Sequence, residues 1–195
     1  ALALLNKISD TVFAEAIRDN FQARSWYKQW QSVLPAYLEW EIERRAGWQQ
    51  RKAEVQAERN ITEHLRIKGR IDRIDLRPDA VALVDYKTGR PPRPEDVLSG
   101  EAVQLPSYAL LLDEPVSQLD YIEFGKDTVK PKTCAQGDEL TGLLKDIEQR
   151  LRLLDTSLQQ QAGLPAWGDP GVCAYCEFSG VCRREMWLHG APDDG

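Results

Sequence analysis

The chain has 195 residues, of which 42% are hydrophobic, and 31 Asp plus Glu outnumber 25 Lys plus Arg for a formal net charge of -6. That length buries one sizeable core and leaves no room for two large domains, while no apolar run approaches the ~20 residues that cross a bilayer and no signal-peptide pattern is visible. The acidic balance argues against indiscriminate nucleic-acid binding through a basic surface.

Residues 1 to about 19 and about 24 to 50 read as helices, with Trp26, Trp30, Leu34, Tyr37, Leu38 and Ile42 recurring at intervals near three and four as a core-facing stripe. The start, Ala1-Leu2-Ala3-Leu4-Leu5, lacks a methionine and lies within the first helical pattern, so a piece of a longer protein is expected. Alternating Ala53, Val55 and Ala57 begin a first strand that runs to about Leu65. Glu58 on it is either an additional acid or an exposed strand glutamate. Strands follow at about 66 to 76 and 80 to 88, joined by the turn Arg77-Pro78-Asp79-Ala80. Gly89-Arg90-Pro91-Pro92-Arg93-Pro94 cannot continue a central strand, because proline lacks the ladder N–H. A helix at about 101 to 113 and a strand at 118 to 124 come next, the strand's buried face being ambiguous between Leu119, Tyr121, Glu123 and Asp120, Ile122, Phe124.

A long helix is expected at about 137 to 162, where leucines and Ile147 recur at three and four residue intervals, and Gly163-Leu164-Pro165 ends it. The organisation is therefore N-terminal helices over 1–50, an α/β core with the long helix over 51–162, and a cysteine-containing tail over 163–195. There is no internal repeat, Gly-rich phosphate loop or Ser/His/Asp set, which excludes a nucleotide-driven motor from this segment.

The chemistry concentrates in Gly69-Arg70-Ile71-Asp72-Arg73-Ile74-Asp75 and Val84-Asp85-Tyr86-Lys87-Thr88-Gly89. Period-2 alternation puts Asp85 and Lys87 on one strand face, and a hairpin register brings Asp72 beside them. Two carboxylates and a lysine suit metal-assisted phosphodiester hydrolysis: hard oxygens hold Mg²⁺, and the lysine orients or deprotonates water or offsets developing charge. The alternative is a solvated face carrying cross-strand ion pairs. Between Arg66 and Arg93 eight basic residues (Arg66, Lys68, Arg70, Arg73, Arg77, Lys87, Arg90 and Arg93) outnumber Asp72, Asp75, Asp79 and Asp85, so basic charge is expected around the acids.

These runs resemble the PD-(D/E)xK nuclease superfamily in its RecB-like and AddB-like branch. The resemblance spans about Arg51 to Arg183 and implies a restriction-endonuclease-like α/β fold, a central mixed sheet flanked by helices in the order helix, three meander strands, helix, fourth strand. It makes Asp72 the first acid and Asp85-x-Lys87 the second acid and lysine. Gln104-Leu105-Pro106-Ser107-Tyr108 matches the Gln-x-x-x-Tyr signature of that branch, with Gln104 and Tyr108 on one helix face to contact DNA or buttress the lysine. The implied activity is a Mg²⁺- or Mn²⁺-dependent deoxyribonuclease, an exonuclease of a cytoplasmic repair and recombination protein that works with a helicase subunit or domain.

Cys173-x2-Cys176-x5-Cys182 resembles the C-terminal cysteine cluster of AddB-like nucleases, which with one upstream cysteine binds a 4Fe–4S cluster. Zinc completed by Cys134 or His189, disulfides and unligated buried cysteines are the alternatives. The metal-binding histidine and first cluster cysteine that the branch carries upstream are absent from residues 1 to 60. His64 lies too near the Asp72 strand to substitute, and Cys134 is expected in a loop after the fourth strand. Three readings follow: an active DNase module, a catalytically inactive DNA-binding or scaffolding module of a helicase-nuclease complex, and a metal-stabilised protein interaction domain.

Overall fold

The computed structural model describes residues 1–163, 166, 168 and 170–184. Most of the expected Gly163-Leu164-Pro165 stop, and His189, lie outside them. Two compact units divide the chain, Ala1–Arg152 and Leu153–Gly195. The first runs α1 (Leu2–Asp19), α2 (Ala23–Arg45), β1 (Gln49–Asn60), β2 (Arg66–Arg77), β3 (Ala80–Lys87), α3 (Pro94–Leu98), α4 (Gln104–Ala109), β4 (Gln118–Phe124), β5 (Val129–Gln136) and most of α5 (Gly137–Gln159). The second holds the end of α5 with α6 (Pro170–Cys173) and α7 (Ser179–Cys182). Among the described residues no helix is long and apolar enough to cross a membrane.

The five strands form one mixed sheet in the order β1-β2-β3-β4-β5. Antiparallel pairing joins β1, β2 and β3, whereas β3 and β4 run parallel. A parallel pair needs a crossover, which the segment carrying α3 and α4 supplies. β3 is buried from Ala80 to Asp85, as a central strand covered on both faces must be. On one face Val84 and Ile122 meet Trp40 of α2, with Tyr37, Tyr86 and Phe124 packed against them. On the other, Ile74, Leu83 and Tyr121 meet Val97 of α3, Leu105 of α4 and Leu140 and Ile147 of α5. This is the α/β, restriction-endonuclease-like arrangement expected.

Several local expectations change. α2 ends at Arg45 and β1 begins at Gln49, because Gln49 and Gln50 pair with Leu76 and Asp75 of β2. The stripe on α2 is also different: Trp26 and Ile42 are 53% and 61% exposed, while Val33, Leu34, Trp40 and Glu41 are buried. Charge explains it. Glu41 and Arg44 face the sheet because partners await them: Arg73 Nη1 lies 2.5 Å from Glu41 Oε2, Arg44 Nε 2.5 Å from Asp75 Oδ2, and Arg44 Nη1 2.9 Å from Asp120 Oδ2. Buried charges persist only when paired in this way. The helix expected at 101 to 113 is confined to Gln104–Ala109. A fifth strand pairs with β4 where a loop was expected, and it places Cys134 in the core at 3% exposure.

Strict alternation also fails in β2. Ile67, Ile71, Ile74 and Leu76 all meet the α4 and α5 side, whereas Arg73 and Asp75 turn to α2. The step of three from Ile71 to Ile74 reverses the facing of the strand at Asp72. β1 reverses with it: Ala53 pairs with Arg73 and Val55 with Ile71, leaving Glu54, at φ 55°, opposite Asp72.

Candidate active site

The β2–β3 ladder ends with Arg73 opposite Val84. One step beyond, on the two strands, stand Asp72 and Asp85. Asp85 is nearly enclosed, its side chain 3% exposed. Its Oδ1 accepts a hydrogen bond from Gln104 Nε2 at 2.9 Å, and its Oδ2 lies 2.8 Å from Lys87 Nζ. Lys87 Nζ donates to Gln104 Oε1 at 2.8 Å, so Asp85, Lys87 and Gln104 form a closed set. Asp72 Oδ2 accepts the Tyr86 backbone N–H at 3.2 Å. Burial pushes the Asp85 carboxyl above its ordinary pKa, Lys87 pulls it down, and the Asp72 charge raises it further. The three residues that the sequence proposed as acids and lysine are thus brought together.

Gln104 and Tyr108 sit on α4, but they do different work. Gln104 bridges the acid and the lysine. Tyr108 packs on the backbone of β2: a Cβ built at Gly69 would lie 2.5 Å from Tyr108 Cε1. It therefore supports the strand three residues before Asp72.

Tyr121 was missed from the sequence. It is fully buried and pairs with Asp85 in the β3–β4 register, and its ring centroid lies 5.6 Å from Lys87 Nζ. Burial, then the nearby Cys134 and Asp85, hold its phenol well above the ordinary range, so the ring offers the ammonium a neutral π face. The alternation of β4 carried this signal, but it could be read only once the parallel register with β3 was known.

Other candidates fall away from the site. Glu58 is exposed and pairs with Arg66 at 3.4 Å. His64 is exposed in the β1–β2 connection. The basic surplus is largely consumed within the chain: Arg73 is buried, while Arg70 pairs with Glu54, Arg77 with Asp79 and Arg93 with Asp96.

A sequence profile of the PD-(D/E)XK nuclease superfamily matches residues 1–183. The chain belongs to that superfamily. An uncharacterized protein of Rickettsia bellii (strain RML369-C) is 27% identical over 116 residues, which are 57% of this chain and 14% of that protein. The chain therefore spans 14% of the length of that relative. The crystal structure of SSO0001 is similar at 20% identity and a TM-score of 0.37, over 74% of this chain and 65% of that one.

Membership of the nuclease superfamily implies nuclease chemistry, for which Mg²⁺ or Mn²⁺ is the usual ion. The acid pair fits such an ion in one specific respect: Asp85 is buried, and its Oδ2 is met by the Lys87 ammonium at 2.8 Å beside the Asp72 charge. Two neighbouring carboxylates are what a hard cation takes as ligands. Among the described residues no three His, Cys, Asp or Glu are gathered to hold a metal.

In the second unit Cys173, Cys176 and Cys182 are free thiols that line a cavity of about 390 Å³ with Arg183 and Arg184. Cys134 belongs to the first unit's core; its thiol donates to Leu119 O at 3.2 Å and is pushed up to about 12, by burial first and then by Asp120. The described residues thus offer three thiols around one cavity and do not complete a cluster site.

Proposed function

We propose that the chain is a divalent-metal-dependent deoxyribonuclease module of a RecB-like or AddB-like repair and recombination protein, acting as an exonuclease with a helicase subunit or domain. One observation carries the reading: Asp85 is buried and its carboxyl raised in pKa, yet it is clamped by Lys87 and Gln104 beside Asp72. Such an arrangement is destabilising for a folded chain without an ion, and it is favourable where a cation and a phosphate come together.

Asp72 and Asp85 would hold Mg²⁺ or Mn²⁺, which when bound supplies Lewis-acid polarisation of the phosphoryl group and lowers the pKa of water. Lys87 is placed for the accompanying charge and proton work. An ammonium carries three N–H donors, and its side chain remains 28% exposed while it donates to Gln104. A donor is therefore left for a phosphate oxygen or the attacking water, which it orients while offsetting charge on the phosphorane. Gln104 fixes both partners at once, accepting from the lysine and donating to the acid, so the pair keeps its geometry as the substrate approaches. Tyr121 seats the ammonium from below.

The test is cleavage of linear single- and double-stranded DNA with Mg²⁺ or Mn²⁺ by the wild-type chain and by Lys87→Ala. Loss of at least about a hundredfold in rate with the fold intact is expected; equal cleavage by both would sink the reading. A second reading, a catalytically inactive DNA-binding or scaffolding module, has in its favour that only two carboxylates gather among the described residues. Metal-independent DNA binding without cleavage would select it.

A further inference from the structure

Resting on the nuclease reading, we propose that Arg73, acting through Tyr86, is a positioning residue that sets the distance between Asp72 and Asp85. The two acids stand beyond the last ladder pair, Arg73 with Val84, so backbone ladder bonds between β2 and β3 do not fix their separation. Tyr86 does, at two points. Its backbone N–H donates to Asp72 Oδ2 at 3.2 Å, and its hydroxyl accepts from Arg73 Nη1 at 3.1 Å. Because Tyr86 lies between Asp85 and Lys87, holding it holds both. Its phenol points to the α2 face while its neighbours point to the reacting face, so the tether works from behind the sheet without touching substrate.

Arg73 is itself immobilised. It is 1% exposed, bonded through Nε to Asp75 at 2.7 Å and through Nη1 to Glu41 of α2 at 2.5 Å, with its guanidinium 5.3 Å from the Trp40 ring centroid. A planar fork anchored on two carboxylates has little freedom left, and its Nη1 also donates to Tyr86. The chain of contact Glu41, Arg73, Tyr86, Asp72 thus ties α2 to the metal acids at the place where β2 reverses its facing. Without the tether a reversal would leave Asp72 free to swing from Asp85. A two-carboxylate site depends on a fixed separation more than a crowded one does, since no third protein ligand corrects an error of position.

Tyr86→Phe is the gentlest test, because it removes only the hydroxyl and keeps the near-parallel stack on Phe124, whose centroid is 5.5 Å away. Arg73→Lys is its companion: it keeps the charge between Glu41 and Asp75 but lacks the fork that also reaches Tyr86. Amide hydrogen exchange in the metal-free chain is read first, followed by Mn²⁺ affinity and cleavage kinetics. Exchange at position 86 is expected to rise about tenfold in both variants with the rest of β3 unchanged. Mn²⁺ affinity and kcat fall while KM for DNA holds. A purely structural role would lower Tm and loosen the whole strand evenly, and that pattern, or wild-type exchange and Mn²⁺ affinity in Tyr86→Phe, overturns the proposal. A wild-type chain that binds no Mn²⁺ overturns the nuclease reading instead and takes the catalytic half of this proposal with it, while the exchange data still decide whether the tether exists.

Discussion

Asp85 carries a carboxyl raised above its ordinary pKa, first by burial and then by Asp72, against the pull of Lys87. In the metal-free protein the unfolded chain releases this proton first, so stability falls as pH rises from the ordinary aspartate range through the raised value. A cation must bind the ionised form, so its affinity runs the other way and weakens as pH falls through that same window. Calorimetric Mg²⁺ titrations at several pH values should therefore show the affinity loss at a pH above that of an ordinary aspartate. Lys87→Met removes a lowering influence, and it should move the loss to higher pH still; an unchanged midpoint would contradict the assigned coupling. Gly69 is constrained for a different reason, since its missing side chain is the seat of the Tyr108 ring. Gly69→Ala should destabilise by about 1–3 kcal/mol, and Gly69→Ala with Tyr108→Ala should lose less than the sum of the two single changes in urea denaturation.

At the scale of elements, α2 binds the sheet by charge as well as by apolar contact, and two adjacent arginines separate the contributions. Arg44 is 8% exposed and bridges Asp75 and Asp120, whereas Arg45 is 62% exposed and reaches only Glu41. Arg44→Met leaves buried Asp120 without a cation and Asp75 with Arg73 alone, and should lose about 3–5 kcal/mol; Arg45→Met should lose under about 1 kcal/mol. Equal losses would show that the buried network contributes nothing special. The same charges explain what the sequence did not disclose. Periodicity ranks apolar residues, so it favoured Trp26 and Ile42 and passed over Glu41 and Arg44, whose burial depends on partners more than 30 residues away. β1 starts in Gln49-Gln50-Arg51-Lys52, which has no apolar alternation and is a strand because β2 pairs with it. Val129–Gln136 contains Pro131 and three polar positions around it, and it forms a strand at the sheet edge, where a missing N–H is tolerated. β3, the Pro78-Asp79 turn and the Asp85-x-Lys87 spacing were legible because each is set by neighbours in sequence. The reversal at Asp72 was not, since it needs the matched irregularity at Glu54 on another strand.

For the whole molecule, the net charge is -6, and Arg66, Arg70 and Arg93 around the acids are paired within the chain. If the chain acts on DNA through a bound cation as proposed, the salt dependence of binding should be shallower than that of a basic surface. Division into two units gives this picture a sharper test. Asp72, Asp85, Lys87, Gln104 and Tyr108, with the supporting Arg73, Tyr86 and Tyr121, all belong to Ala1–Arg152, whereas Cys173, Cys176 and Cys182 belong to the unit from Leu153 onward. A chain ending after Gly163 keeps α5 whole and removes the three cysteines. If the acids and their tether make the metal site by themselves, this shortened chain should bind Mg²⁺ within about twofold of the full chain, as independent sites do. Any iron or zinc that metal analysis finds in the full chain should disappear with the cysteines. Loss of Mg²⁺ binding in a shortened chain that circular dichroism shows to be folded would mean that the cysteine unit serves the nuclease centre, and that the two-carboxylate description of the site is incomplete.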